Sequence, residues 1–420
     1  MCPMREVKES RISNGVRVIS EEIPQSSSAS IGIWIDVGSR DEDNNYQGCS
    51  HFLEHLLFKG TTNRNAREIS TIIEQRGGYL NAFTDRDMTC FQVKVLGSDI
   101  LIAFDVLTDI VQNPLLKQED IDKERTVILS EIDSRDDDPG DLIHDLYFET
   151  SWGKSNAAHP ILGEKEVLKT LNNTAIRSFY EKHYTPRKMI VTAAGKINHE
   201  ELVSIVKEKL SYNKPSQTGS RKPPIYRPIR KHISRLTNQA QVALTTEGVS
   251  YNDSRRDALN LINSYLGVGA SSKLFQEVRE KHGLVYSIFS TNYSLGDAGV
   301  FAILAGTQDR YVEKVLKIEL KELKKLRKVP TNDELEKIKH KTTGLFVLHS
   351  ESSESRMTQL GVSTLRQGKP KTMNETIKGI NAVKVEDIKE LAEDIFSIDQ
   401  LGLTTLGLSE KTAQKVDSLF

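Results

Sequence analysis

The sequence predicts two domains of mixed helices and strands built to a repeated plan. Three observations lead there. The chain has 420 residues, more than one hydrophobic core usually supports. Short β-branched or alternating runs such as VRVISEE and IGIWIDV recur among longer segments of helical period. The second half then repeats the order of elements found in the first, which suggests a tandem duplication, although residue-level similarity between the halves is weak.

Taken in order, residues 16–22 and 31–37 read as strands, the second ended by Gly38-Ser39-Arg40. An acidic, polar loop leads to Gly48, and a helix carrying HFLEH follows and stops before Gly60. Asn65-Ala66-Arg67-Glu68 has the form of a capping box, opening a helix with Ile69, Ile72 and Ile73 inward and Gly77-Gly78 as its stop. Residues 79–84 and 89–96 pair as antiparallel strands joined at Asp85-Arg86-Asp87. Helices are expected over 100–113 and 118–136, the latter with Ile121, Arg125, Ile128 and Ile132 on one stripe and Pro139 beyond its end. Helices at 141–150, 164–170 and 174–182, a strand at 190–195 and a helix at 198–210 complete the first half.

The run SYNKPSQTGSRKPPIYRPIRK has linker composition. It sets expected boundaries of 1–212 for the first domain, 213–230 for the linker and 231–420 for the second. From Ser220 to Arg235 there are six basic residues and no acid. A solvated linker is the plainer reading, and a stripe for an acidic partner the other. Beyond it come a strand at 241–248, helices at 255–266 and 272–281 flanking Gly267-Val268-Gly269, and two strands in GLVYSIFSTNYS and AGVFAILAGT. A helix over 311–328 presents Val312, Leu316, Leu320, Leu323 and Leu326 on one stripe. Helices at 332–349, 353–367, 374–380 and 385–396 precede a last strand at 401–406.

Charged residues make up 27% and hydrophobic ones 37% of the chain, as in soluble globular proteins, and the formal net charge of −1 gives no global argument for nucleic acid. Three cysteines, Cys2, Cys49 and Cys90, without a C-x-x-C pair, argue against a disulfide framework or a Cys₄ zinc site. Cys49 lies about 200° round a helix from His51 and reads as a packing residue. The opening MCPMREVKES lacks an apolar signal region and carries early acids. No run approaches the ~18 apolar residues of a membrane span. The expectation is a soluble cytoplasmic protein, or a mature organellar one whose presequence has been removed, with no nucleic-acid or membrane partner.

The chemistry concentrates in His51-Phe52-Leu53-Glu54-His55. Two histidines four apart share one helix face and can grip one Zn²⁺. Glu54 lies beside that face and can act on a metal-bound water without being a ligand. This is the inverted H-x-x-E-H form of the zinc-peptidase helix. Such a pattern also arises by chance on exposed helices. Here, however, Phe52, Leu53, Leu56, Leu57 and Phe58 make the helix partly buried, where unpaired polar groups are costly. A catalytic zinc takes three protein ligands and a water, so one ligand is missing. Glu131, set among aliphatics in VILSEI, is a candidate, with Glu124 two turns earlier on the same face. An ordinary salt-bridging surface is the alternative, since Lys123 and Arg125 stand beside Glu124.

HFLEHLLFKGT, GGYLNAFTDRD, ERTVILSEIDSRDDDP, HPILG and LFQEVREKHGLVYS together resemble the pitrilysin/insulysin family of zinc metallopeptidases. They are similar in particular to its small mitochondrial-processing-peptidase-like members. The resemblance spans roughly residues 12–410, and Glu131 stands 76 positions after His55. It implies an α+β fold of two homologous domains, each a mixed, mostly antiparallel sheet packed against helices. It implies one Zn²⁺ per chain held by His51, His55 and Glu131, with Glu54 as general base and Glu124 supporting the site. It implies peptide added as a strand at Asn81 and Ala82, an aromatic wall at Phe58, and Arg279 with Tyr286 holding the substrate carbonyl and developing oxyanion. It also implies a second copy or homologous subunit closing a chamber, a homodimer or a heterodimer. Gly267-Val268-Gly269-Ala270 is much shorter than the glycine-rich loop of the regulatory subunits, which favours a self-sufficient subunit.

The expected activity is therefore a zinc-dependent endopeptidase. Glu54 would take a proton from the zinc-held water, and the resulting hydroxide would attack the scissile carbonyl. Asp141 and Asp145, four apart after Pro139, match acids that hold a substrate arginine in processing peptidases, so basic peptides are the expected preference. The competing readings are a non-catalytic structural subunit, a class that typically loses motif residues this chain keeps, and a zinc-binding, peptide-holding chaperone, which would leave Glu54 idle.

Overall fold

The computed structural model describes residues 6–210, 220–328 and 330–420. Cys2 and residues 213–219 of the expected linker lie outside the described residues. Two compact units result. One comprises Met1–Ile132, His159–Lys222 and Leu348–Met373; the other comprises Asp133–Ala158, Pro223–Val347 and Asn374–Phe420.

The first unit is built on six strands: β1 (Val7–Arg11), β2 (Arg17–Glu22), β3 (Ser28–Ile35), β4 (Tyr79–Thr84), β5 (Thr89–Leu96) and β6 (Met189–Gly195). Their order is β1-β2-β6-β3-β5-β4. Only the β2–β6 pair is parallel. Strand β3 is apolar on both faces because both are covered. Ile31, Ile33 and Ile35 pack into the main core with Phe104 and Leu107 of the helix Ile100–Gln112. Trp34 points the other way, onto Met357 and Leu360 of the helix Ser353–Gln367. Two glycines make room there. A Cβ on Gly361 would stand 2.1 Å from the Trp34 ring, and one on Gly32 would stand 2.8 Å from the Met357 sulfur. Arg356 of the same helix forms a fully buried ion pair with Glu21.

The second unit repeats this plan with β7 (Arg230–Ile233), β8 (Ala240–Glu247), β9 (Val285–Ser294), β10 (Gly299–Thr307) and β11 (Gly402–Leu406), ordered β7-β11-β8-β10-β9. Again one pair, β7–β11, is parallel and the rest antiparallel. Phe301, Ile303 and Ala305 of β10 face a core shared with the helices Arg256–Leu266, Val312–Lys325 and Val385–Ile395. Val300, Ala302 and Leu304 face Ile143, Tyr147 and Phe148 of the helix Pro139–Trp152. The expected α+β class, with mixed and mostly antiparallel sheets against helices, is thus what the chain forms.

Several local expectations shift. The strand expected at 31–37 is β3, displaced toward the N-terminus. Strands β1 and β7 and the helix Glu410–Asp417 were not foreseen: both strands are short and half-exposed, so they carry no clean alternation. The segment expected as an ordinary helix at 272–281 is wound over Phe275–Glu280 with i→i+5 bonds, such as Lys281 N–H to the Gln276 carbonyl at 3.0 Å. The basic stripe is not all solvated linker. The Arg221 guanidinium sits among Asp36 at 2.8 Å, Asp41 at 2.6 Å and Asp87 at 3.9 Å.

One buried carboxyl stands out in the second unit. Glu319 is 0% exposed, and among the described residues neither carboxylate oxygen has a partner. Burial pushes its carboxyl up to about 8. The unfolded chain, with an ordinary glutamate near 4.3, releases this proton first as pH rises. The stability tied to the protonated form is therefore complete at low pH and is lost between about pH 4 and about pH 8. Glu319→Gln should accordingly leave the thermal midpoint nearly unchanged at pH 4 and raise it progressively toward pH 8, as differential scanning calorimetry across that range would show.

Candidate metal centre

His51 and His55 lie on the helix Cys49–Leu57, whose other face, Phe52, Leu53, Leu56 and Leu57, is at most 1% exposed. The apolar residues fix the helix in the core and so aim the histidine face at one place. The start of the helix is sealed by Glu42. Its carboxylate, fully buried, accepts the backbone N–H of Gly48 and of Ser50, each at 2.7 Å. Those are donors that a helix leaves without intrahelical partners. Burial pushes the Glu42 carboxyl up to about 8, against the pull of these amides. Gly48 takes φ +87°, and a Cβ there would stand 2.7 Å from the Leu162 carbonyl. Gly163, the last residue of HPILG, abuts Gly48 in turn. That motif is therefore a backing for the helix start.

Glu131, on the helix Gln118–Asp137, completes the cluster. Its two oxygens stand 3.8 Å from His51 Nε2 and 3.8 Å from His55 Nε2. All three ligand atoms lie within 4.8 Å of one another. Around a tetrahedral zinc, ligands about 2.1 Å from the ion stand roughly 3.4 Å apart. The three side chains therefore fit a zinc ion with small adjustments, and they make up the one such group found among the described residues. Burial, then the neighbouring His55, hold His51 down to about 4. At neutral pH its ring is uncharged, the form that ligates.

The supporting residues sort by element. Glu124 is 6% exposed and places Oε2 3.2 Å from His55 Nδ1. A carboxylate can only accept, so Nδ1 carries the hydrogen and Nε2 offers its lone pair. Glu54, beside the ligands, accepts from the Thr84 hydroxyl at 2.5 Å. Burial raises its carboxyl pKa, opposed by that hydrogen bond and by His55. Thr84 ends β4, the last strand of its sheet, so Asn81, exposed, and Ala82, 8% exposed, lie on a strand paired only with β5. Phe58 closes the histidine helix and is half-buried, its ring 6.0 Å from that of Phe91.

The remaining expected residues belong to the second unit. Arg279 and Tyr286 form a pair, the guanidinium 5.9 Å from the ring centroid, with Tyr286 73% exposed. Asp141 is exposed, and its N–H is held by the Asp138 carboxylate. Asp145 is in an ion pair with Arg135. Cys49 is buried and stands outside the ligand group, as its angle round the helix required. Sequence reasoning missed Glu42, Thr84, and Lys59, whose ammonium lies 2.7 Å from Glu124 Oε1. The first lay in what looked like an ordinary acidic loop, and none has a partner at helical spacing.

The helix carries the inverted H-x-x-E-H pattern of zinc peptidases, with a third candidate ligand in Glu131. Residues 17–165 match the family described as Insulinase (Peptidase family M16), and residues 170–342 match the Peptidase M16 inactive domain. An uncharacterised zinc protease of Streptomyces coelicolor is 36% identical over 98% of this chain and 92% of its own length. The uncharacterised zinc protease YmxG of Bacillus subtilis is 36% identical over 94% and 96%. A protease from Helicobacter pylori has the same fold, with a TM-score of 0.87 at 24% identity, covering 96% of this chain and 100% of that one. The chain belongs to the insulinase (M16) peptidase family.

The grip of Glu42 on the helix start gives a direct expectation. Glu42→Ala would orphan two buried N–H groups. It should lower unfolding stability by roughly 2–4 kcal/mol, the scale of two unsatisfied donors, as urea denaturation would measure.

Proposed function

We propose that this chain is a zinc-dependent endopeptidase. The observation that carries the reading is the convergence of His51, His55 and Glu131 beside a half-buried Glu54 that Thr84 anchors to an edge strand. When bound, zinc supplies a Lewis acid that polarises a carbonyl and acidifies a water to a pKa of about 7. Glu54, its affinity for a proton raised by burial, is placed to accept a proton from an attacking water and would return it to the leaving amine. Thr84 fixes which Glu54 oxygen stays free for this transfer. Peptide adds as a strand along β4 past Asn81 and Ala82. Main-chain bonds then supply affinity with little demand on sequence. Phe58 walls the residue beyond the cut, and Arg279 and Tyr286 hold the substrate carbonyl. A second copy of the chain completes the enclosure.

Glu54→Gln should keep zinc and lose cleavage by at least about 10²-fold, the usual contribution of a general base. His51→Ala and Glu131→Gln should lose zinc itself. Elemental analysis run beside digestion of a mixed peptide library, with and without chelator, separates the cases. Near-normal turnover by Glu54→Gln would overturn the general-base assignment.

The preference for basic substrates rests on Asp141 and Asp145. Exposed Asp141 offers a carboxylate directly. Asp145 is occupied by Arg135, which a substrate arginine would displace as one guanidinium for another. Asp141→Asn combined with Asp145→Asn should raise KM for arginine peptides and spare neutral ones, and high salt should partly reproduce this. Cleavage-site profiles showing equal arginine enrichment in wild type and double variant would remove these aspartates from the specificity site.

A further inference from the structure

Lys59 follows the histidine helix by two residues, and its ammonium lies 2.7 Å from Glu124 Oε1. The other oxygen of the same carboxylate faces His55 Nδ1 at 3.2 Å. The Glu124 side chain is only 8% exposed, whereas Lys59 is 38% exposed. Among the described residues, Lys59 is the one lysine or arginine paired with this buried carboxylate. An exposed ion pair contributes little. This pair differs, because a buried carboxylate stripped of its cation is strongly penalised and has to move or find another partner. Among the described residues, its one other partner in an ion pair is the His55 ring. The two histidines also differ: His55 has a carboxylate on its Nδ1, while Nδ1 of His51 is buried with no partner among the described residues. Orientation of the ligand pair therefore runs through one chain of contacts, from Lys59 to Glu124 to His55.

We infer that Lys59 is a positioning residue of the metal site. It anchors the Glu124 carboxylate so that His55 keeps its ring turned with Nε2 toward His51 and Glu131. The inference rests on the zinc reading above. Partners behind a metal-bound histidine typically govern metal affinity by 10–100-fold, and Lys59 acts one contact further back.

The test uses the full-length protein stripped of metal. Zinc affinity is measured by competition with a chromophoric chelator, and ligand geometry by the visible absorption of the Co²⁺-loaded protein. Lys59→Met should bind zinc about 10-fold more weakly and change the Co²⁺ bands. Lys59→Arg, which keeps a cation on Glu124, should restore both. In a Glu124→Gln background Lys59→Met should have no further effect on zinc, because the residue through which it acts is gone. Wild-type affinity in Lys59→Met, or losses that simply add in the double variant, would overturn the inference. Failure of the unmodified protein to bind zinc, or undiminished binding by His51→Ala, would instead sink the zinc reading itself.

Discussion

A helix that carries metal ligands has to satisfy two demands that pull apart. Its backbone must be held rigidly, which calls for burial. Its ligand side chains must reach a shared point that water and substrate can enter. The helix Cys49–Leu57 meets both by division of faces. Phe52, Leu53, Leu56 and Leu57 are at most 1% exposed, while His51 and His55 keep side-chain exposures of 12% and 21%. Everything around it follows from that division. Glu42 and the Gly48–Gly163 contact fix where the helix begins. The helix Gln118–Asp137 delivers Glu131 and Glu124 two turns apart, one into the candidate ligand group and one against the His55 ring. Strand β4 packs against the histidine helix and brings Thr84 to Glu54.

Much of this was legible in the sequence because it is local. The four-residue spacing of His51 and His55, the seven-residue spacing of Glu124 and Glu131, and the Asn65–Glu68 capping box each lie within one helix. The capping box forms in both directions, Glu68 N–H to Asn65 at 3.0 Å and Asn65 N–H to Glu68 at 2.8 Å. The hairpin strands at 79–84 and 89–96 agree with β4 and β5 to the residue. What escaped reading depends on pairs far apart in the chain. Lys59 and Glu124 are 65 residues apart, and Glu42 acts on amides that any residue supplies. Arg221 looked like part of a solvated stripe because its acids, Asp36 and Asp41 from one loop and Asp87 from another, lie more than 130 residues earlier.

The two sheets carry different side chains at corresponding places on one plan. In the first unit, the helix after the long central strand presents His51, Glu54 and His55, and Glu54 is tied to edge strand β4 through Thr84. In the second, the helix Arg256–Leu266 follows β8 and is tied to edge strand β9 through amides and a hydroxyl. Asn292 donates to Asn260 at 2.7 Å, and Ser290 donates to Asn263 at 2.6 Å. The helix-to-edge bonding is retained, but amide side chains neither ligate zinc well nor move protons at neutral pH. The helix Arg256–Leu266 lies within residues 170–342, the segment that matches the Peptidase M16 inactive domain.

The packing of Gly361 against Trp34 bears on how the chain is made. Trp34 is fully buried only because a helix more than 300 residues later lies over it. Residues 133–158, in turn, belong to the unit formed largely by the second half. On a ribosome, then, the N-terminal sheet emerges long before the helix that covers one of its faces. Trp34, Ile19 and Cys90 remain without that cover until the helix Ser353–Gln367 has been made. Contacts of such long range slow folding through the entropy of closing the intervening chain, and the exposed face is a hazard for association in the meantime. Cutting the gene at the apparent midpoint would leave each product without a helix that its sheet requires. The two units are a duplication in plan but a single obligate unit of synthesis.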